Sequence, residues 1–286
     1  MQNILEVYQK YCAYPITGNV QQLDFVVDIN RLRVELFDFI IKNNFGHRVV
    51  SLRLPPGETD WTTTYERLET NAVNSFNFCL DSVIPPANTK SNDSYLEWHP
   101  ELKNSYVASL IPDIEKLSGF KIGRVRLGWL MPLSGYGMHI DLDPMRLHIP
   151  IVTNKLAYII NDDKLYNFEY GKLYHLISTA LHTAWNFGKT PRLHLIFSTY
   201  SDVELTNNMN TLIDSNTTKQ NYLNHIANTG IDEYSIKQLL QLSINSANEK
   251  GFVSFSGGNV PVESQVVYEA NQLLDLLKEF SNTSGA

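Results

Sequence analysis

Several things are scarce in this 286-residue chain, and each scarcity removes a class of function. Cysteine occurs only at Cys12 and Cys79. Neither CxxC nor metal-ligand spacing is present, so no disulfide framework is expected and a reducing, cytoplasmic setting is. Positive charge is in deficit: 23 Lys and Arg against 30 Asp and Glu give a net charge of -7. Such a balance supplies no global field for a nucleic-acid backbone, and nucleic acid is not an expected partner. No run of about eighteen apolar residues occurs, and the N-terminal residues lack a basic segment followed by an apolar one, so neither membrane spanning nor secretion is expected. A Ser-His-Asp or paired-carboxylate pattern is missing as well. What remains is a chain that is 43% hydrophobic, enough for one large core with appendages.

Periodicity then orders the elements. Gln22 to Val27 reads as a strand. Asp28 or Asn30 caps a helix to about Asn44, with Leu32, Leu36, Phe39 and Ile40 inward and Gly46 as its stop. Val49 to Leu54 reads as a strand cut off by Pro55-Pro56-Gly57. From there to about Asn104 the pattern is poor; Trp61, Tyr65, Pro85, Pro86, Trp98 and His99 either line a substrate mouth or, more plainly, pack loops onto the core. Ser105 to Leu117 reads as a helix that Pro112 kinks or splits. Lys121 to Leu133 alternates as a strand, with Arg124 and Arg126 read as a solvated face at its outer edge. Ser134 to Gly137 reads as a turn. Short strands follow at Arg146 to Val152, Leu156 to Ile160, Leu165 to Glu169, Leu173 to Leu176, His182 to Asn186 and Arg192 to Tyr200.

Strands this short and this regularly spaced predict a mainly β, α+β protein whose core is a double-stranded β-helix, a cupin-like jelly roll, with packed N-terminal helices. The expected barrel domain spans residues 1–200. Residues 201–286 form a helical extension, with helices at about Ser235 to Lys250 and Val262 to Phe280 separated by a Gly-rich break at Phe255-Ser-Gly-Gly-Asn. That extension covers the barrel, forms a homodimer surface or shapes the entrance; periodicity leaves all three open.

Residues 139 to 192 carry the chemistry. In a strand, positions i and i+2 share a face, so His139 and Asp141 point at one metal ion. Asp143 shares that face and is the rival carboxylate, although Pro144 ends the strand behind it. His182 is the expected third ligand and His175 its rival. Two His and one carboxylate that leave positions open suit Fe(II). Zn(II) hydrolysis is a weaker reading, because no catalytic Glu motif accompanies the set. Arg146-Leu-His148 and Arg192-Leu-His194 each put a cation and an imidazole on one strand face. A buried arginine is costly unless paired, and a guanidinium matches a carboxylate bidentately, so Arg192 fits a dicarboxylate co-substrate such as 2-oxoglutarate. The alternatives are a structural salt bridge for Arg192 and satisfied core histidines for His148 and His194.

Taken together, His139-x-Asp141, Arg146-Leu-His148-Ile-Pro-Ile and the run from Gly171 through His182-Thr-Ala-Trp-Asn-Phe-Gly-Lys-Thr-Pro-Arg192-Leu-His-Leu-Ile-Phe resemble the aspartyl/asparaginyl β-hydroxylase family, which includes free-proline hydroxylases of bacteria. The resemblance is clearest over residues 120 to 200. It implies that His139, Asp141 and His182 bind Fe(II), that Arg192 grips the distal carboxylate of 2-oxoglutarate, and that Arg146 and His148 line the pocket. It further implies an O2-consuming dioxygenase that hydroxylates an unactivated C-H and releases succinate and CO2. Some members that act on protein domains lack the carboxylate ligand; Asp141 keeps it here and favours the small-molecule branch. The expected substrate is a free amino acid or small derivative. An Asp or Asn in a peptide and a non-catalytic ligand-binding barrel are the alternatives.

Overall fold

The computed structural model describes residues 4–46, 49–62, 70–71, 92–131, 134–135, 143–161, 164–180, 182–186, 188, 190–200, 252–255 and 258–261. Helix α1 (Ile4–Gln9) leads to strand β1 (Val20–Leu23) and helix α2 (Ile29–Lys42). The Asp28 side chain accepts from the Arg31 backbone N–H at 3.0 Å and caps α2, satisfying one of its orphan donors. Leu32, Leu36, Phe39 and Ile40 are buried as their spacing predicts. The first strand starts two residues earlier and ends four residues earlier than its composition suggests, its length matching the antiparallel partner with which it pairs Val20 to Leu176 through Leu23 to Leu173.

The stretch read as one strand at 49–54 is two, β2 (Val50–Ser51) and β3 (Arg53–Leu54), in different sheets. At the break, the Leu52 N–H turns to the Val125 carbonyl at 2.7 Å. Strand β4 (Thr70–Asn71) follows, then a 3-10 turn at Asn92–Ser94, and β5 (Glu97–Trp98) pairs with β3. Pro112 splits the expected helix into α3 (Tyr106–Ser109) and α4 (Ile111–Ser118). Proline fits the first turn of α4, where no backbone N–H is needed. Gly119 ends α4 in the left-handed region at φ 84°. A Cβ there would come within 2.5 Å of the Tyr11 carbonyl oxygen, so only glycine fits.

Eight strands complete the core: β6 (Lys121–Leu130), β7 (Ser134–Gly135), β8 (Arg146–Val152), β9 (Ala157–Asn161), β10 (Lys164–Asn167), β11 (Leu173–Leu176), β12 (His182–Asn186) and β13 (Arg192–Tyr200). They are shared between two antiparallel sheets of order β1-β11-β8-β13-β6-β2 and β10-β9-β12-β7-β4. This shuttling between facing sheets is the jelly roll that the strand spacing predicts. Ser134–Gly135, read as a turn, is instead paired with Trp185 and Asn186. The Gly-rich break near residue 256 lies within a hairpin of β14 (Phe252–Phe255) and β15 (Gly258–Pro261). The expected C-terminal helices lie outside the described residues.

One face of the larger sheet, with Val125, Leu127, Ile149, Ile151, Leu195 and Phe197, forms a large apolar core with the N-terminal elements and helices. Its other face meets the smaller sheet around Leu130, Ile159, Phe168, Tyr174, Leu176 and Ala184. The N-terminal segment ties into this frame. The Tyr8 hydroxyl reaches the Pro144 carbonyl and Thr179 Oγ1.

The Tyr14 hydroxyl bonds His175 Nδ1, and His175 Nε2 lies 2.9 Å from the Gly18 carbonyl. That carbonyl can only accept, so Nε2 carries the proton and Nδ1 accepts from Tyr14. Both nitrogens of this rival metal ligand are thus engaged. Alternation also places His175 with Leu173 on the outer face of the sheet. Burial pushes its pKa down to about 4. The folded state therefore holds His175 neutral where the unfolded chain protonates it, so its contribution to stability is complete above about pH 6.5 and is lost as pH falls toward 4. Urea unfolding between pH 6.5 and 4 is expected to show a slope shallower by about 1.4 kcal/mol per pH unit in His175→Gln than in the wild type.

Candidate active site

Alternation on the inner face of the larger sheet brings together Arg124, Arg126 and Gly128 of β6, Arg146 and His148 of β8, Tyr174 of β11, and Arg192 and His194 of β13. Register aligns them. Ile196 pairs with both Arg126 and His148, and His148 with Tyr174. His194 pairs with Gly128 and Pro150, Arg192 with Leu130, and Ser198 with Arg146. Because β8 and β13 are antiparallel, their two Arg-Leu-His strings run in opposite directions. The histidines meet in the middle and the arginines stand at opposite ends.

The meeting is direct: His148 Nδ1 and His194 Nδ1 are 3.4 Å apart, with both rings buried. Phe168 lies against both, stacked on His194 and edge-on to His148. A hydrogen bond between two Nδ1 atoms requires one to donate and the other to accept. One ring then carries its proton on Nδ1 and presents a lone pair at Nε2; the other presents an Nε2–H. Both Nε2 atoms are buried and have no hydrogen-bond partner among the described residues. Burial, with the positive charge of Arg192, Arg146 and Arg126, holds His148 well below the usual histidine range. Burial and Arg192 do the same to His194. The inner wall thus sets one buried N–H donor and one buried lone pair among arginine side chains.

His182 begins β12 at the Arg146 end, paired with Asn161 and 3% exposed. Its Nδ1 lies 2.9 Å from the Ala180 carbonyl. A carbonyl can only accept, which places the proton on Nδ1 and the lone pair on Nε2, the orientation a metal-ligating imidazole requires. Arg192 is 3% exposed at the opposite end. Beside it, Asn186 Nδ2 donates to the Leu130 carbonyl at 3.0 Å. Arg146, His148 and Arg192 therefore share the inner face of the larger sheet, and His182 is buried on the smaller one. His139 and Asp141 lie outside the described residues, which contain no cluster of three or more metal-binding side chains.

One reading needs correction. Arg124 and Arg126 do not form a solvated outer face, since helices cover the odd-numbered face of β6 and turn the even-numbered face inward; Arg124 is 6% exposed. Trp61 and His99 pack as rings 4.6 Å apart with Phe39 behind them, and Trp98 sits under Arg53, so these aromatics pack loops onto the core. Tyr65, Pro85 and Pro86 lie outside the described residues. The sequence reading missed Asn92, whose amide reaches Asp143 and the Thr199 carbonyl; it stands in a stretch without periodicity, where no pattern marks it.

Residues 102–201 match the family model described as Aspartyl/Asparaginyl beta-hydroxylase. Over those residues the chain is similar to a hydroxylase domain of that kind. No curated protein matches the sequence. Among solved structures, a prolyl hydroxylase from Trichoplax adhaerens in complex with a hypoxia inducible factor peptide is 9% identical, covers 74% of this chain and 94% of its own, and superposes with a TM-score of 0.38. A prolyl-4-hydroxylase from Pseudomonas putida is 12% identical over 70% of this chain and 100% of its own, at 0.37. A cupin domain from Bordetella pertussis is 14% identical over 27% and 81%, at 0.25. No helix among the described residues is long and apolar enough to cross a membrane.

The histidine pair generates a direct expectation. In the ligand-free protein, 15N spectra of the imidazoles should show both rings still neutral at the ordinary histidine midpoint, with opposite tautomers, as their lowered pKa values require. A titration midpoint near 6.5 in either ring would contradict the buried pair.

Proposed function

We propose that the protein is an Fe(II)- and 2-oxoglutarate-dependent dioxygenase that hydroxylates an unactivated C-H of a free amino acid or small amino-acid derivative, with succinate and CO2 as co-products. The observation that carries this reading is the placement of Arg192 and the His148–His194 pair inside one positive, enclosed barrel whose Arg146 end also holds His182. His139, Asp141 and His182 are the residues that would hold the metal, and the tautomer of His182 set by Ala180 fits that role. When bound, iron with 2-oxoglutarate supplies the activation of O2 that C-H hydroxylation needs.

The chain's own residues do the rest. Arg192, deep in the barrel, pairs with the distal carboxylate of the co-substrate, where a bidentate guanidinium fixes orientation as well as charge. His148 offers a buried nitrogen along the same wall, and Arg146 adds a cation at the His182 end. The apolar lining of Leu130, Ile159, Phe168 and Ala184 excludes water, which strengthens every polar contact inside. No side-chain general base is required at the substrate carbon. A cytoplasmic setting belongs to this reading, and the free, half-buried thiol of Cys12 agrees with it.

Purified protein given Fe(II), ascorbate, O2 and 2-oxoglutarate should form succinate, with turnover stimulated by one member of a panel of free amino acids. Asp141→Ala and His182→Ala should each abolish it; undiminished succinate formation in either variant would remove the metal assignment. Arg192→Ala should raise the KM for 2-oxoglutarate about 100-fold, the ~3 kcal/mol of a charge-assisted bidentate pair. Stimulation only by Asp- or Asn-containing peptides would move the substrate from amino acid to peptide.

A further inference from the structure

Asp143 is the rival to Asp141 for the metal, and the structure gives its carboxylate other work. Its Oδ2 accepts from Arg146 Nε at 2.8 Å, and its Oδ1 accepts from the side-chain amide of Asn92. Its backbone carbonyl accepts from Ser178 Oγ at 2.8 Å, and the next carbonyl, of Pro144, accepts from Tyr8. Both side chains of the ion pair are only 15% exposed, which sets this pair apart from a solvated surface contact.

Asn92 is held just as firmly. Its amide also donates to the Thr199 carbonyl at 3.1 Å. Its backbone lies so close to β6 that a Cβ on Gly123 would come within 1.8 Å of the Asn92 carbonyl oxygen. From there the chain runs through Tyr95, whose ring lies 5.3 Å from the Arg124 guanidinium, to β5. One carboxylate therefore joins two parts of the site that are far apart in sequence: the guanidinium at the His182 end of the barrel and the segment from Asn92 to Trp98 beside it.

We propose that Asp143 is a positioning residue and not a metal ligand: it fixes the plane of the Arg146 guanidinium toward the barrel interior and, through Asn92, pins the 92–98 segment to the barrel. This rests on the dioxygenase reading for the meaning of Arg146, but the geometry of the clamp does not. An arginine on a strand end samples several rotamers unless a partner removes that freedom, and a charge-assisted bond at Nε removes it while holding the plane of the fork. The two oxygens of Asp143 divide the task, so the two contacts can be cut separately.

Asp143→Asn keeps an oxygen for Asn92 but turns an amide donor on the Arg146 Nε–H, and so releases the arginine alone. Asn92→Ala releases the segment alone. Mn(II) binding followed by electron paramagnetic resonance should be unchanged within twofold in Asp143→Asn. The affinity of the Mn(II)-loaded protein for 2-oxoglutarate should fall about tenfold, and Asp143→Glu should restore most of it. The Arg146 Nε–H resonance should shift and exchange faster in Asp143→Asn and stay in place in Asn92→Ala. Hydrogen exchange over 92–98 should rise only in Asn92→Ala. Loss of Mn(II) binding in a folded Asp143→Asn would make Asp143 a ligand and overturn the proposal. An unmoved Arg146 resonance with unaltered 2-oxoglutarate affinity would overturn it as well. If the wild type itself fails to bind 2-oxoglutarate, the dioxygenase reading falls, while the Arg146 resonance and the exchange pattern still decide whether the clamp exists.

Discussion

Strands β8 and β13 lie side by side and antiparallel within the larger sheet, and most of the chemistry between the sheets depends on that pairing. Each strand carries the same Arg-Leu-His string. Reversed against each other, the strings bring two imidazoles into contact and send two guanidinium groups to opposite ends of one enclosed space. Cations held where water is scarce cost several kcal/mol each unless an anion or a strong dipole meets them. At one end of that space the Asp143 carboxylate meets Arg146.

The same strands serve two purposes on their two faces. Leu147, Ile149, Leu195 and Phe197 point outward into the large core under the helices, and that core supplies the hydrophobic stabilisation. The inner face packs a smaller apolar cluster and has room for polar side chains beside it. Across the larger sheet it holds four arginines and two histidines, a polar content that a small domain tolerates only where the rest of its residues agree with the fold. The unusual residues and the ordinary ones alternate along a single backbone, at the two-residue period of a strand.

That period is also why so much was legible in the sequence. Arg146–Val152, Leu173–Leu176, His182–Asn186 and Arg192–Tyr200 are strands where alternation and turn residues put them. The cap at Asp28 and the four inward residues of α2 follow from local rules. Arg146, His148, His182 and Arg192 were readable as a group because residue type and strand parity are both local properties. Arg124 and Arg126 were misread because parity says which residues share a face but not which face is covered; that depends on helices docked from elsewhere in the chain. His175 illustrates the same limit. Only the long-range contacts of Tyr14 and Gly18 show that both its nitrogens are occupied. Asn92 belongs to a segment with no period at all, and its partners Asp143 and Thr199 are 51 and 107 residues away.

The hydroxyl of Tyr8 has a bearing on how the molecule comes into being. Its partners, Pro144 and Thr179, lie 136 and 171 residues further along, and Tyr14 waits 161 residues for His175. On a ribosome adding about 5–20 residues per second, helix α1 emerges many seconds before the strands it fastens exist. Contacts of such long range close late, after the loop entropy between their ends has been overcome. Helix α1 is therefore among the last of these elements to be seated, and the barrel is shaped before it is latched.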